Sequence, residues 1–157
     1  MDRVRKTLIL LVIVGVPAAA QSFFAEFPGP CFTAGTLTFQ ISSTAFSPDY
    51  RVKIDSQTAR PDLRMQLVNS PEDADFVLVD DFTSAEGNAC KASMPIKTIK
   101  VDSAERSPDL TISLSNQASS PDYRLYLHSA RFSPNDAAAL FAVIWKLNSN
   151  REIAERR

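Results

Sequence analysis

Few residues of this chain could take part in catalysis, and their spacing does not suggest an active site. His128 is the only histidine, which excludes sites that need two imidazoles, including most zinc enzymes. Serine and aspartate are plentiful, but no Gly-x-Ser-x-Gly turn presents a nucleophile. His128 also falls on the predicted polar face of a strand, where a surface histidine is expected. We therefore predict a non-enzymatic protein and keep a hydrolase with an unrecognised site as a third hypothesis.

Acidic residues cluster around the end of an apolar run. Asp80 and Asp81 follow that run directly, and adjacent strand residues point to opposite faces, which does not suit a two-carboxylate mechanism. Together with Asp73, Asp75 and Glu86 they could offer oxygen ligands to calcium. No Asp-x-Asp-x-Asp-Gly loop preorganises such a site. We expect neither a metal nor a cofactor.

Cationic residues that alternate with apolar ones form the best candidate binding surface. Arginine makes bidentate contacts with phosphate and carboxylate groups. An exported domain near a membrane could therefore use a basic sheet face to bind lipid headgroups, an acidic polymer or a protein partner. The alternative is an ordinary solvated face whose charge is balanced by Asp55, Asp102 and Glu105. The predicted basic face comprises Arg51, Lys53, Arg64, Lys97, Arg124, Tyr126 and His128.

These residues lie within an internal duplication. The motif Pro-Asp-(Tyr/Leu)-x begins at Pro48, Pro61, Pro108 and Pro121. Pro48 is as far from Pro61 as Pro108 is from Pro121. A longer interval separates Pro48 from Pro108, and the same interval separates Pro61 from Pro121. When residues 36–70 are aligned without gaps to residues 96–130, identities recur along the whole length, including the equivalent pair Arg64 and Arg124. The exported domain, residues 31–157, is therefore predicted to contain two repeats, 31–82 and 90–147, and a charged C-terminal tail.

Each repeat has the pattern of consecutive strands. Apolar and polar residues alternate after every motif, which is the period of a half-buried strand. The aspartates are interpreted as turn residues at strand entries. Short gaps between the strands favour antiparallel neighbours, and the wholly apolar run Phe76–Val79 predicts a central strand covered on both faces. The predicted fold class is α+β, mainly β: an internally duplicated antiparallel sheet of about seven strands with one C-terminal helix.

The C-terminal helix has a recognisable start. Ser133 is the predicted N-cap, Pro134 suits the first helical position, and Asp136 stands where a capping box has its acidic residue. The following apolar residues fall on one face of the helix, which should pack on the sheet. These residues are Ala137, Leu140, Phe141, Ile144 and Leu147.

The N-terminus predicts export. Residues 1–20 contain a basic start, an apolar run and three alanines at a potential cleavage site, which are the parts of a secretory signal peptide within residues 1–27. The alternative is an uncleaved transmembrane anchor, because residues 8–27 are about long enough to span the inner membrane. Either reading places the domain on the periplasmic or other extracytoplasmic side. Cys31 and Cys90, the only cysteines, are then expected to form a disulfide bond.

The overall charge and composition narrow the function further. A net charge of -1 gives no general attraction to nucleic acid. We predict an exported envelope protein that binds a partner protein or a membrane complex on the periplasmic side. The alternative is a periplasmic module that binds a small ligand or an acidic polymer through the basic face.

Overall fold

The computed structural model describes residues 30–79 and 95–155, with the side chains of residues up to 150. The described part is mainly β with one C-terminal helix, as predicted. Residues 30–79 and 95–155 contain eight strands, whereas about seven were predicted. The elements are β1 (Cys31–Ala34), β2 (Leu37–Ser42), β3 (Tyr50–Ile54), β4 (Leu63–Leu67), a short 3-10 turn (Pro71–Asp73), β5 (Phe76–Val79), β6 (Ile96–Val101), β7 (Leu110–Ser115), β8 (Tyr123–His128) and α1 (Pro134–Glu155).

The eight strands form one sheet in the order β1-β2-β6-β3-β7-β4-β8-β5. Strands of the first repeat alternate with strands of the second from β2 to β5. Only β1 and β2 pair antiparallel, and every other neighbouring pair is parallel. The prediction of an antiparallel sheet is therefore wrong.

A regular stagger of the strands explains how short loops join parallel strands. Ile54, the last residue of β3, is level with Ile112 of β7, and Ile112 is level with Leu63, the first residue of β4. The chain leaves β3 at the height where β4 begins and has to pass only one intervening strand, about 10 Å in all. A parallel connection usually needs a dozen or more residues; here the chain does not have to travel back along the strand. Four further pairs of residues are level with each other across one intervening strand: Ile41 and Tyr50, Leu67 and Phe76, Val101 and Leu110, and Leu114 and Tyr123.

A shorter repeat underlies the duplication. The first residues of β2, β3, β4 and β5 are Leu37, Tyr50, Leu63 and Phe76, which are evenly spaced, and the same interval separates the starts of β7 and β8. Pro134 follows Pro121 by the same interval, and at Pro134 α1 begins instead of a strand. The last short repeat therefore contributes the helix that fills the core.

The helix is enclosed by the sheet at its start. The four consecutive residues 137–140 are fully buried, and successive helical residues point in directions about 100° apart. α1 contacts β2, β3, β4, β6, β7 and β8, so the sheet must curl around it. One apolar face was predicted, but the buried surface extends around the first turns, where Ala138 and Ala139 allow close approach of the strands.

The position of β5 differs from the prediction. β5 is the last strand of the sheet, and Val77 and Val79 are 44% and 63% exposed, so the expectation of a central strand is wrong. The alternation of the repeats explains this position, because no described strand of the second repeat follows β8 along the chain. The N-terminal segment 1–27 and the residues Asp80, Asp81, Glu86 and Cys90 lie outside the described residues, and the disulfide of Cys31 therefore stays a prediction. No helix within the described ranges is long and apolar enough to cross a membrane.

Candidate functional site

Each of five aspartates holds one residue of the neighbouring strand by two hydrogen bonds. The carboxylate of Asp62 accepts the backbone N–H of Thr111 at 2.6 Å, and the N–H of Asp62 donates to the Thr111 carbonyl at 2.8 Å. We call this arrangement an aspartate clamp. The other four clamps join Asp49 to Thr98, Asp109 to Arg51, Asp122 to Arg64 and Asp75 to Arg124, with carboxylate distances of 2.7 to 2.8 Å and backbone distances of 2.8 to 2.9 Å.

The clamps follow from the stagger of the strands. Each strand begins before its next neighbour in the sheet begins. Its first part would therefore have a backbone N–H and a carbonyl without a partner. The aspartate before the next strand satisfies both, and its charge strengthens the bond to the N–H. This role resembles that of an N-cap residue in a helix. The prediction of turn chemistry identified the right residues but missed their partners on the neighbouring strand.

Asp75 shows which sequence signal was overlooked. The pair Ala74-Asp75 follows Pro61-Asp62 by the same interval that separates Pro48 from Pro61, and Asp75 forms the same clamp as Asp62. A search for the Pro-Asp motif missed this copy because alanine replaces proline. The regular spacing alone would have found it.

Asp49 differs from the other clamps in having a lysine partner. Burial favours the neutral acid, but the hydrogen bond from Lys97 Nζ at 2.7 Å, the Thr98 N–H and the charge of Lys97 outweigh it, so the pKa of Asp49 is lowered. The same hydrogen bond raises the pKa of Lys97. Lys97 is level with the buried Phe39 and shares the strand face of the buried Ile99, so the structure places it on the inner face of the sheet, apart from the other residues of the predicted basic face.

The outer face of the sheet carries the other predicted basic residues. Arg51, Arg64, Arg124 and His128 are exposed, while Lys53 and Tyr126 are half-buried. Lys100, which the prediction omitted, is level with Arg51 on this face. The sequence indicates the position of Lys100 on this face, because Lys100 directly follows Ile99, which is buried on the opposite face.

Carboxylates neutralise much of this face. Lys53 lies 3.3 Å from Asp55, and Arg124 Nε lies 3.5 Å from Asp75. Lys100 lies 3.3 Å from Asp102 and 3.5 Å from Glu105. In the described part of the chain only Arg51 and Arg64 of this face have guanidinium groups without an ion-pair partner.

Local hydrogen bonds keep these acids ionised. The Gln57 N–H and then Lys53 lower the pKa of Asp55. The Ala104 N–H and then Lys100 lower the pKa of Asp102. The Ser107 N–H is the main cause of the lowered pKa of Glu105. The outer face therefore combines both signs of charge and does not focus positive charge on one point.

β5 forms one of the two edges of the sheet in the described part of the chain, opposite β1. Val77 and Val79 are exposed and stand level with Tyr126 and His128 of β8. No strand pairs with the other side of β5 within the described ranges. Val77 has the same position in its short repeat as Arg64 has in the previous short repeat. The backbone N–H and carbonyl of Arg64 point away from β7 and bond to Asp122. By this equivalence the N–H and carbonyl of Val77 face the open edge.

Cavities and metal-ligand groups add little to this surface. A cavity of about 500 Å³ lies between the β1–β2 turn and α1, and its lining includes Gly35, Leu37, Phe39, Ile144 and Leu147. It has no titratable side chain in its lining. Residues 30–79 and 95–155 contain no group of three or more histidine, cysteine or acidic side chains that could hold a metal ion.

Comparisons with protein-family models, with curated proteins and with solved structures find no match to this chain.

Proposed function

We propose that this chain is a non-enzymatic, extracytoplasmic protein that binds a partner protein through the free edge of β5. The observation that supports the proposal is the combination of a strand edge with which no described strand pairs and the exposed, outward-facing Val77 and Val79. An open edge presents unpaired N–H and carbonyl groups that can pair with another chain.

The side chains of β5 favour binding over protection. Soluble proteins commonly protect an edge strand by keeping it very short or with lysine, proline or an inward-pointing charge; β5 is short, with 4 residues, but its sequence Phe-Val-Leu-Val contains neither a charge nor a proline. Main-chain hydrogen bonds provide affinity when a strand is added to a sheet edge, and alternate side chains provide specificity. Val77 and Val79, with Tyr126 beside them, offer apolar contacts for this second contribution.

The N-terminal sequence supports the proposed location. A basic start followed by an apolar run directs the following domain out of the cytoplasm. Residues 8–27 then act either as part of a removed signal peptide or as an anchor in the inner membrane. The partner is accordingly an envelope protein or a membrane complex, and the proposed Cys31–Cys90 disulfide suits that compartment.

The native mass of the protein tests the proposal. Gently solubilised envelope from the source cells is separated by size, and the N-terminus of the protein is sequenced from the same fraction. We expect a complex larger than a monomer. Val79→Asp should release the monomer, because a buried unpaired carboxylate is costly, whereas the isosteric control Val79→Thr should retain most of the complex. A wild-type protein that runs as a free monomer would contradict the proposal.

A second candidate function uses the outer face. Arg51 and Arg64 are exposed and have no ion-pair partner in the described part, which favours binding of an anionic ligand or acidic polymer. The double variant Arg51→Glu/Arg64→Glu should then lose binding to an anionic polymer. Unchanged binding by a folded variant would dismiss this candidate.

A further inference from the structure

The sheet ends where its own pattern requires one more strand. We infer that the partner contributes an extended segment that runs parallel to β5 and enters with an aspartate that clamps Val77. The inference rests on the proposed function and specifies the chemistry of the partner. The juxtaposition that carries it is the open backbone of Val77 at the end of a row of five clamped residues.

The alternation of the repeats defines the vacant position. From β2 to β5 every first-repeat strand except the last is followed in the sheet by a second-repeat strand. The strand after β5 should therefore come from the next copy in the second repeat. That copy begins at Pro134, one short repeat after Pro121, and it forms α1 inside the sheet. The chain thus uses its last short repeat for the core, and no strand of the described ranges fills the edge position.

The row of clamps defines how that position is filled. Across the sheet, the clamped residues are Thr98, Arg51, Thr111, Arg64 and Arg124. The aspartate that precedes the next strand of the sheet reaches each of them, because that strand starts further along the strand direction. Val77 is the next residue in this row, and no described aspartate reaches it. An incoming aspartate would satisfy its N–H and carbonyl as in the other five cases.

The register then predicts the sequence class of the partner segment. In the Asp122 clamp, the residue after the aspartate is Tyr123, which is level with Met65 on the core side. The residue after the partner's aspartate would likewise be level with Leu78, which is buried. The segment should therefore read Asp-apolar-x-apolar, with its apolar residues extending the inner face beside the contact of Phe76 with Phe141, whose ring centroids are 5.1 Å apart.

The partner is another protein and not a second copy of this chain. All five aspartates that enter strands in the described part are already engaged in their own sheet. From the described strand entries, a second copy could supply such an aspartate only by breaking one of its own clamps. A different protein with a free segment of this class has no such cost.

A peptide that copies a second-repeat strand tests the inference. Peptide 107–115 of this chain, SPDLTISLS, and the same peptide with Asp109→Ala are titrated into the full-length protein in mild detergent. We expect the first peptide to bind and the second to bind about tenfold more weakly, the size of one charge-assisted hydrogen bond. This comparison uses the wild-type protein, so it does not depend on the folding of a variant.

Two variants of the protein locate the binding. Val77→Pro removes the outward N–H, and Val77→Thr retains it with a side chain of nearly the same shape. We expect the peptide to bind Val77→Thr nearly as well as wild type and to lose at least tenfold in affinity for Val77→Pro. Circular dichroism checks that both variants retain the fold.

The outcomes separate the inference from the proposed function. Equal binding of the two peptides, with loss in Val77→Pro, would overturn the clamp while retaining the edge as a binding site. No peptide binding, with a native complex that still depends on Val79, would also overturn the inference and leave the proposed function intact. Self-association of the pure protein that Val77→Pro abolishes would identify a second copy as the occupant and overturn it as well.

Discussion

The carboxylate of Asp122 accepts the backbone N–H of Arg64 at 2.7 Å, although 58 positions separate the two residues. The N–H of Asp122 donates in turn to the Arg64 carbonyl at 2.8 Å. Each of the five clamps likewise connects the first repeat to the second. The motif that marks a strand entry in the sequence is therefore also a connection between the two halves of the domain.

Removal of one clamp should weaken the fold measurably. Asp122→Ala leaves the Arg64 N–H without its acceptor, and we expect a loss of about 1 kcal/mol in the free energy of unfolding, comparable with the loss of a helix N-cap. Arg64→Ala is the matched control, because the clamp uses only the backbone of Arg64, and its effect should stay within about 0.5 kcal/mol. Urea denaturation of both variants measures the difference; equal losses would contradict the clamp.

Acid should remove the contribution of Asp49. Its pKa is lower in the folded protein than the value of about 3.9 for an unfolded aspartate. The carboxylate therefore stabilises the fold above about pH 4, and this stabilisation is lost as the pH falls through the folded pKa. The difference in unfolding free energy between wild type and Asp49→Asn should shrink as the pH is lowered from about 5 to about 2. A difference that is constant over this range would contradict the lowered pKa.

The start of α1 should depend on its cap. Ser133 Oγ accepts the Asp136 N–H at 3.2 Å, and Asp136 Oδ2 accepts the Ser133 N–H at 2.8 Å, which confirms the predicted capping box with aspartate in the acidic position. Ser133→Ala should cost about 1 kcal/mol of stability. Asn135→Ala, at an exposed position within the same turn, is the control. Thermal or urea unfolding compares the two.

The enclosed part of α1 should tolerate neither larger nor smaller side chains. Ala138→Leu adds volume at a fully buried position and should cost about 1–3 kcal/mol or more. Leu140→Ala leaves a cavity and should cost about 2–5 kcal/mol. Asn148→Ala, at an exposed position of the same helix, should change little. If Ala138→Leu is as stable as wild type, the sheet does not enclose the helix.

Neither repeat should fold alone. The first-repeat strands β2, β3, β4 and β5 are never neighbours in the sheet, because a second-repeat strand lies between each successive pair. Fragment 30–94 should therefore lack stable strand structure by circular dichroism, and so should fragment 95–157. Mixing the two fragments should restore it. Strand structure in the isolated first fragment beyond that of the β1–β2 pair would contradict the interleaved sheet.

Local patterns in the sequence determined most elements of the described domain, though not β1. Alternation of apolar and polar residues located β3, β4, β7 and β8, and the Ser133–Asp136 cap located the start of α1. These features depend on residues a few positions apart, so they can be recognised without the fold. The duplication was visible because its motifs recur at a constant offset along the chain.

Only the tertiary structure decided how the strands pair. A short gap can connect antiparallel neighbours, or parallel strands that are staggered past one intervening strand, and the sequence pattern is the same in both cases. The stagger arises when the two repeats interleave around α1, and it places Asp122 beside Arg64 and leaves β5 at the edge. The partners in these contacts are distant in sequence, so no local period could reveal them.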